Sequence, residues 1–431
     1  MDLIPSVFEF LNAGVSPWHA AAEAVRRLEA AGFRPLEEAA PWTLSPGGRY
    51  YVTRNGSAVL AFQLPEGAVR GWRAALSHSD TPTWRIKTPR VELGGYIKLE
   101  TEGYGGMIMG SWLDRPLTVA GRAVVRTGDG IAARLVYLDR DLLTIPSVAI
   151  HFDRGVNDGR KWDPQTDLQP LYGPSGCQDL RELIAAEAGA APEDVLTWDL
   201  CLAVRQKAVP IGPGGEFFMS PRIDDLECAS TTLAAFLAAA PLPETAQVWG
   251  MLDNEEVGSS SRQGAEGTFL SDTLARILDA LGQDRQDFWR SAANSLILSA
   301  DNGHALHPNH PEKSDPQNAP VLNGGVVLKV NASQKYTTDA VSAALFEEIC
   351  RRAGVPTQRF ANRADQPGGS TLGNLQGHSV SSPMLDIGLA QLAMHSAVET
   401  AGTADIGHMV RAVQAFYETS FQCLGDGRYT L

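Results

Sequence analysis

Histidine and carboxylate side chains collect at five points of the 431-residue sequence, most of them directly after an apolar run. These points are "LSHSD" (His78, Asp80), "SPRIDDL" (Asp224, Asp225), "LDNEEVGSS" (Asp253, Glu255, Glu256), "SADNGHALHPNH" (Asp301, His304, His307, His310) and "LAMHS" (His395). Imidazole and carboxylate groups are the ligands and the general bases of metal-assisted hydrolysis. Each point also has an ordinary structural explanation, such as a helix cap at Asp225 or a core position at His395. The pattern therefore becomes specific only in combination.

The adjacent glutamates Glu255 and Glu256 follow "AQVWGML", a run typical of a buried central strand. Carboxylates crowded at a strand end raise one another's pKa unless a cation compensates their charge. A metal ion supplies that cation and separates the two roles, because one glutamate can bind metal while its neighbour deprotonates a water. A solvated turn is the alternative interpretation.

Taken together, the clusters supply two histidines, three acids and a spare glutamate. This is the ligand set of two divalent ions bridged by one carboxylate, with a general base beside them. The candidate ligands are His78, Asp224, Glu256, Asp301 and His395. Mixed nitrogen and oxygen ligation without cysteine suits Zn²⁺, and also Co²⁺ or Mn²⁺. Such a pair activates a water and polarises a carbonyl, which amide hydrolysis requires.

The elements that must position these residues follow two different patterns of predicted secondary structure. Helix patterns predicted at 16–33, 226–240, 270–282, 338–353 and 404–421 alternate with strand patterns at 246–252, 295–300, 325–330, 357–361 and 384–387. Such alternation favours a largely parallel α/β sheet, whose ligands bind at the carboxyl ends of the strands. From about residue 90, short β-like runs such as "SVAIHF" alternate with turns, with one helical stretch at 178–187. We therefore predict an α/β domain over 1–89 and 216–431, interrupted by a β-rich insertion over 90–215.

Composition narrows the classes of partner. The formal net charge of −14 argues against nucleic acid and anionic membranes, which select basic surfaces. The five cysteines are scattered without a CxxC pair, which is typical of reduced thiols in a cytoplasmic protein. The N-terminal stretch lacks the basic region of a signal peptide, and no apolar run has the length of a membrane span. We expect a soluble, cytoplasmic protein.

The wording and order of the motifs resemble the aspartyl aminopeptidase/aminopeptidase I family of cocatalytic zinc metallopeptidases, and bacterial members in particular. The resemblance covers essentially the whole chain. The matching stretches include "SHSDTPTWRIK", "GYGGMIMGSWLDRPLTVAGRA", "IPSVAIHFDRGVN", "EFFMSPRIDDL", "DNEEVGS", "SADNGHALHPN", "VVLKVNASQKYTTD" and "DIGLAQLAMHSAVETAG". The fold implied is a zinc-peptidase-like, mostly parallel α/β/α sandwich with an inserted β-rich dimerisation domain.

The resemblance implies the following metal site. His78, Asp224 and Asp301 would bind one ion. Glu256, His395 and the shared Asp224 would bind the other. Two divalent ions per subunit are thus expected, zinc first, with cobalt or manganese as alternatives.

The resemblance also implies the groups around the metals. Glu255 would be the general base, and Asp80 would fix the tautomer of His78. The peptide bond between Asp224 and Asp225 would be cis.

A substrate pocket is implied as well. His304 would help to polarise the scissile carbonyl, and Lys329 and Tyr336 would lie near the N-terminal residue of the peptide. A lysine there is a physical basis for a preference for Asp or Glu, although departures such as "KSDPQNAPVLNGG" leave a preference for neutral residues open. His151 would reach into a neighbouring subunit, and dimers would assemble into a tetrahedral dodecamer.

Two other functions are compatible with parts of this pattern. A dinuclear metal amidohydrolase acting on N-acyl amino acids would use the same metal chemistry without a pocket for a free α-amine. A non-catalytic scaffold of the same fold would have lost ligands. Because all five ligand positions and the base are filled, the sequence favours an enzyme over a scaffold.

Overall fold

The computed structural model describes residues 3–431. Residues 1 and 2, which belong to the predicted 1–89 segment and to the N-terminal stretch considered above, lie outside the described residues. The α-helices of the described part are α1 (Leu3–Ala13), α2 (Pro17–Ala30), α3 (Leu180–Glu187), α4 (Ile223–Ala238), α5 (Phe269–Ala280), α6 (Arg285–Ala293), α7 (Ala340–Arg352), α8 (Leu372–Gln376) and α9 (Thr403–Glu418).

The strands form three main sheets and one short hairpin. They are β1 (Arg34–Leu36), β2 (Arg49–Arg54), β3 (Ala58–Gln63), β4 (Gly71–His78), β5 (Thr83–Leu93), β6 (Tyr96–Tyr104), β7 (Leu117–Thr127), β8 (Gly130–Tyr137), β9 (Leu171–Pro174), β10 (Val195–Val204), β11 (Val209–Ile211), β12 (Phe217–Ser220), β13 (Thr245–Leu252), β14 (Leu296–Ala300), β15 (Gly303–His304), β16 (Val326–Val330), β17 (Thr357–Ala361), β18 (Met384–Gly388), β19 (Ala390–Leu392), β20 (Glu399–Gly402), β21 (Cys423–Gly425) and β22 (Arg428–Tyr429).

The largest sheet has nine strands in the order β1-β2-β3-β13-β4-β14-β18-β16-β17. Its central strands β13, β4, β14 and β18 are mutually parallel, whereas β3 and β16 run against their inner neighbours. Every residue of β4 and β13 is buried, as expected for strands covered by helices on both faces. This is the mostly parallel α/β sheet that the sequence predicts.

The central strands end at one edge, and this alignment positions the site. His78 is the last residue of β4 and pairs with Leu252, the last residue of β13. Glu255 and Glu256 follow β13, and Asp301 follows β14. Three of the five sequence clusters therefore meet at the carboxyl edge of the sheet, where parallel α/β folds bind ligands.

A second sheet has six strands in the order β8-β7-β10-β5-β6-β9, all joined by antiparallel pairings. This sheet contains most of the strands of the segment 90–215, which the sequence predicts to be β-rich. It has its own apolar core around Trp84, Leu117 and Leu200. Its first strand starts at Thr83, before the predicted boundary, because the segment after His78 turns into β5 rather than into a long polar loop. The division of the chain into two domains stays a prediction.

Local sequence signals explain several elements. Ser16 caps α2, with Pro17 at the first helical position, and the chain leaves the helix through Gly32 at φ +85°. Asn55 and Gly56 have φ angles of 57° and 67° between the antiparallel strands β2 and β3. This is the left-handed turn that the Asn-Gly pair predicts.

Most predicted elements are confirmed to within three residues. Helices α1, α6 and α8 were not predicted. The run "SVAIHF" (147–152) was predicted to be β-like, and the structure has a loop there. Among residues 3–431, no helix is both long enough and apolar enough to cross a lipid bilayer.

Candidate active site

Asp224 lies at the centre of the site and turns its two oxygens toward different histidines. Oδ1 lies 3.3 Å from Nε2 of His78, and Oδ2 lies 3.3 Å from Nε2 of His395. Asp224 is 3% exposed, so solvent does not screen these contacts. Each oxygen of Asp224 thus faces a different imidazole, which is the arrangement that a carboxylate bridging two ions needs.

The remaining candidate ligands complete the two groups of side chains on either side of Asp224. Glu256 Oε2 lies 3.4 Å from His395 Nε2, on the side of Asp224 Oδ2. Asp301 Oδ1 lies 3.9 Å from His78 Nε2, on the side of Asp224 Oδ1. The structure thus brings together all five residues that the sequence selects as ligands.

The donor atoms fit divalent ions. Asp224 Oδ1 and Glu256 Oε1 are buried and have no hydrogen-bond donor among the described residues. Leaving a buried carboxylate oxygen without a partner is unfavourable, and a bound cation removes that cost. Single ligand atoms of His78, Asp224 and Glu256 lie within 4.8 Å of one another. A second group within the same limit contains His78, Asp225 and Asp301.

Asp225 has a different role from the helix cap that the sequence favours. Its Oδ2 accepts the backbone N–H of His78 at 3.0 Å, and the residue is fully buried. It therefore ties the end of β4 to the start of α4. The peptide bond between Asp224 and Asp225 is cis, as the resemblance implies.

The two glutamates sit on a tight turn held by Asp80. Asp80 Oδ1 accepts the backbone N–H of Glu255, and Oδ2 accepts that of Glu256, both at 3.1 Å. The hydroxyl of Tyr104, from β6, donates to the same Oδ2 at 2.7 Å. The turn begins after Asn254, whose φ is +64°, and contains the short 3-10 helix Glu255–Val257. The spacing His-x-Asp predicts a contact between Asp80 and His78. In the structure Asp80 also holds the turn.

Asp80 also contacts the histidine. Nδ1 of His78 lies 3.0 Å from the backbone carbonyl of Asp80 and 3.4 Å from its Oδ1. A hydrogen bond at Nδ1 leaves Nε2 as the ligand atom, and this nitrogen faces Asp224. On the other half, Nδ1 of His395 contacts the carbonyl of Gly106, which fixes that ring in the same way.

Glu399 is a buried support that the sequence did not indicate. Its Oε2 accepts the backbone N–H of Asp224 at 3.1 Å, and its Oε1 accepts that of His395 at 2.8 Å. One carboxylate from β20 therefore holds two candidate ligands, and Gln391 donates to it at 3.2 Å. Burial raises the pKa of Glu399 to about 8.

Burial and charge dominate the electrostatics of the site. Burial raises the pKa of Glu255 to about 8, with the neighbouring carboxylates Asp301 and Asp80 adding to the shift. Burial also raises the pKa of Asp224, but the close imidazoles of His395 and His78 outweigh burial and place that pKa below its usual range. At the candidate ligands Glu256 and Asp301 burial dominates, and their pKa values are raised. The position of Asp224 between two imidazoles thus sets it apart from the other carboxylates of the site.

A cleft opens beside the candidate metal ligands. The lining includes His304, Lys329, Tyr336, Phe360 and Met394 together with Glu255 and Asp301. Tyr336 and His304 both lie edge-on to the ring of Phe360. The three residues that the resemblance assigns to the substrate pocket therefore share one wall.

Lys329 has partners of its own in the cleft. Its Nζ donates to the carbonyl of Asn302 at 2.8 Å and lies 3.3 Å from Asp301 Oδ2. The side chain is 3% exposed, and the ammonium lies 5.6 Å from the centre of the Tyr336 ring. Part of the positive charge of Lys329 is thus matched by Asp301 rather than free for a substrate.

Asp386 supports one wall of the cleft through hydrogen bonds. This buried carboxylate on β18 accepts hydrogen bonds from the backbone and hydroxyl of Thr337 and from the hydroxyl of Thr371. Thr371 lines the cleft, and Thr337 follows Tyr336. Asp386 therefore ties two cleft segments to the central sheet, and no local pattern in the sequence indicated it.

Two histidines of the sequence clusters, and His151, lie elsewhere. The rings of His307 and His310 have their centres 5.3 Å apart at a tilted angle, in a loop that does not line the cleft. His151 lies in the exposed loop at 147–152, beside the exposed side chain of Phe152. Within one chain, His151 therefore takes no part in the site.

A buried two-histidine, multi-carboxylate centre at the carboxyl edge of an α/β sheet defines a metallohydrolase, and comparisons narrow the class. Residues 10–417 match the family model described as "Aminopeptidase I zinc metalloprotease (M18)". "Probable M18 family aminopeptidase 2" of Clostridium acetobutylicum is 40% identical over 429 residues, covering 97% of this chain and 99% of that protein. The chain belongs to the M18 family and is an aminopeptidase.

Solved structures agree with this assignment. The mApe1 dodecamer of S. cerevisiae superposes with a TM-score of 0.85 at 28% identity, covering 96% of each chain. The M18 aminopeptidase of Thermotoga maritima superposes with a TM-score of 0.83 at 25% identity, covering 95% of this chain and 94% of that one. The zinc-peptidase-like fold expected from the sequence is thereby confirmed.

Proposed function

We propose that this aminopeptidase removes N-terminal residues from peptides at a centre of two divalent ions. One ion is held by His78, Asp224 and Asp301, and the other by Glu256, His395 and the shared Asp224. The observation that carries the proposal is that the two oxygens of Asp224 each lie 3.3 Å from a different imidazole. Nitrogen and carboxylate donors without thiolates favour zinc, with cobalt or manganese as substitutes.

The chain supplies the proton transfers through Glu255. When bound, the ions polarise the scissile carbonyl and acidify a water. Glu255 accepts the proton of that water and passes it to the departing amine, since its carboxylate lies on the same tight turn as Glu256 and lines the cleft. Asp80 keeps the turn fixed through its bonds to both backbone N–H groups. His304, which lines the cleft, faces the scissile carbonyl and donates to its oxygen as negative charge develops there.

Substrate selection rests on the cleft wall formed by Lys329 and Tyr336. The ammonium favours Asp or Glu as the N-terminal residue, since a charge-assisted bond in a poorly hydrated cleft is stronger than one in water. Its pairing with Asp301 weakens that preference, so neutral residues are also accepted.

The active enzyme is a homo-oligomer. The mApe1 relative is a dodecamer, and the β-rich insertion over 90–215 carries exposed apolar side chains such as Phe152 and Ile131. We propose that dimers form through this insertion and assemble into a tetrahedral dodecamer. His151, which is exposed in one chain, then enters the neighbouring cleft.

A panel of chromogenic substrates tests the proposal. Gel-filtered protein is stripped with a chelator and reloaded with Zn²⁺, Co²⁺ or Mn²⁺, and aminoacyl nitroanilides of Asp, Glu, Leu and Ala are compared with their N-acetylated forms. Hydrolysis of the free amines, lost on chelation and restored by metal, is the expected result. Release of acetate from the acetylated forms, with no nitroaniline freed from the free amines, would assign the chain to deacylation instead.

A further inference from the structure

A small cavity of about 30 Å³ lies outside the cleft, where α2, β5 and β10 meet the segments that lead to two candidate ligands. Among the described residues, its lining shares none with the catalytic cleft. Arg222 lies two residues before Asp224, and Ser396 directly follows His395. An occupant of this cavity would therefore contact both chain segments.

Three buried N–H donors on residues that line the cavity have no acceptor in the described part of the chain. They are Nε1 of Trp18, Nε1 of Trp112 and Nε of Arg222. These residues are 5%, 4% and 8% exposed, so bulk water does not serve the donors. A buried donor without an acceptor is destabilising, and three on residues around one cavity indicate that its occupant accepts hydrogen bonds.

The charges around the cavity add to a positive sum. The guanidinium of Arg222 donates to the carbonyls of Val204 and Leu11 and forms no ion pair with a carboxylate of residues 3–431. Arg85 also lines the cavity, at 3.9 Å from Asp199. That carboxylate is already bonded to Arg122 at 2.8 Å. Asp199 is thus shared by Arg85 and Arg122, and the buried charge of Arg222 has no carboxylate partner among residues 3–431. A buried unpaired charge is costly.

We propose that this cavity is a binding site for a single halide-sized anion. Water can serve the three N–H donors but leaves the charge of Arg222 uncompensated, whereas a small anion accepts N–H donors and offsets that charge. A cavity of about 30 Å³ has room for a water-sized group, so a halide ion fits it. Binding clamps the segments of Asp224 and His395 against the insertion. The site goes beyond the proposed function and does not depend on it.

Thermal unfolding in chloride tests the site without using activity. Protein prepared in sodium gluconate is titrated with sodium chloride at constant ionic strength, and Tm is expected to rise and saturate, because an anion bound only by the folded state stabilises it. Trp18→Phe and Trp112→Phe keep the ring but lose the donor, so each should raise the half-saturating chloride concentration several-fold. Arg222→Met should abolish the response. Trp289→Phe, at a half-exposed position on α6, is the matched control and should respond as the wild type does.

Crystals grown in sodium bromide give a direct readout. An anomalous peak within hydrogen-bond distance of Arg222 Nε is expected, and it should disappear in Trp112→Phe crystals or weaken strongly. Equal Tm values in chloride and gluconate, or ordered water without bromide in the cavity, would overturn the proposal. If Arg222→Met does not fold, the two tryptophan variants decide the outcome by themselves.

Discussion

Asp80 Oδ1 accepts the backbone N–H of Glu255 at 3.1 Å, so the residue that orients a candidate ligand also fixes the candidate base. Asp80 lies two residues after His78 on one strand end, and Glu255 follows the neighbouring parallel strand. The adjacency of Glu255 and Glu256 has a physical reason in this geometry. A short turn held by one carboxylate presents two side chains, one to His395 and one to the cleft.

Replacing Glu255 with glutamine removes the proton acceptor and keeps the shape of the side chain. We expect kcat to fall by about 10²–10⁴, the range typical of general acid–base groups, with metal content unchanged. Steady-state kinetics and elemental analysis of the same sample measure both. Glu266→Gln is a matched control in the same loop, where the Glu266 carboxylate accepts a hydrogen bond from the hydroxyl of Ser260 and does not line the cleft. A Glu255→Gln enzyme that turns over at the wild-type rate would remove Glu255 from the mechanism.

Three of the five candidate ligands share one property that makes them recognisable in the sequence, which is that each lies at or just after the end of an apolar strand. His78, Glu256 and Asp301 could be selected because parallel strands bring their carboxyl ends to one edge of the sheet. The resemblance supplied their distribution between two ions.

Supports that depend on distant contacts could not be predicted. Glu399 is 175 residues away from Asp224 in sequence, yet it accepts the backbone N–H of that residue. Asp386 and Tyr104 likewise act through partners on other elements. The cap assigned to Asp225 was wrong for the same reason, because the tertiary bond to His78 replaced a local one.

Replacing Lys329 with methionine tests the source of substrate preference. Removal of the ammonium should lower kcat/KM for Asp and Glu substrates by at least about tenfold more than for Leu substrates, since a charge-assisted bond is lost for acidic residues only. Lys335→Met, at an exposed position nearby, is the control. Equal losses on acidic and neutral substrates would mean that Lys329 acts through Asp301, which lies 3.3 Å from its Nζ, and does not select the substrate.

His19 gives a pH dependence that is independent of the metal site. Burial, followed by the charge of Arg222, lowers its pKa from 6.5 to about 4. The unfolded chain therefore binds a proton between these values that the folded chain does not. The contribution to stability is complete above pH 6.5 and is lost as the pH falls through 4. Because the side chain is partly exposed, the change is on the order of 2 kcal/mol.

Denaturant unfolding of metal-free protein between pH 7 and pH 4 measures this contribution. His19→Gln should show a shallower loss of stability on acidification than the wild type. The same substitution at His378, an exposed histidine after α8, should leave the slope of the wild type. Identical slopes for His19→Gln and the wild type would contradict the assignment.

His151 tests whether the site is completed by a second subunit. His151→Ala should lower kcat/KM by at least about tenfold while metal content and oligomer size stay unchanged, because the residue touches no part of the cleft in its own chain. The informative experiment mixes this variant with Glu255→Gln after dissociation and reassembly. Each mixed pair then contains one cleft with an intact Glu255 and an intact neighbouring His151, so activity should return although both parents are impaired. His378→Ala replaces His151→Ala in the control mixture. Full activity of His151→Ala alone, or no recovery in the mixture, would show that each subunit works with its own residues only.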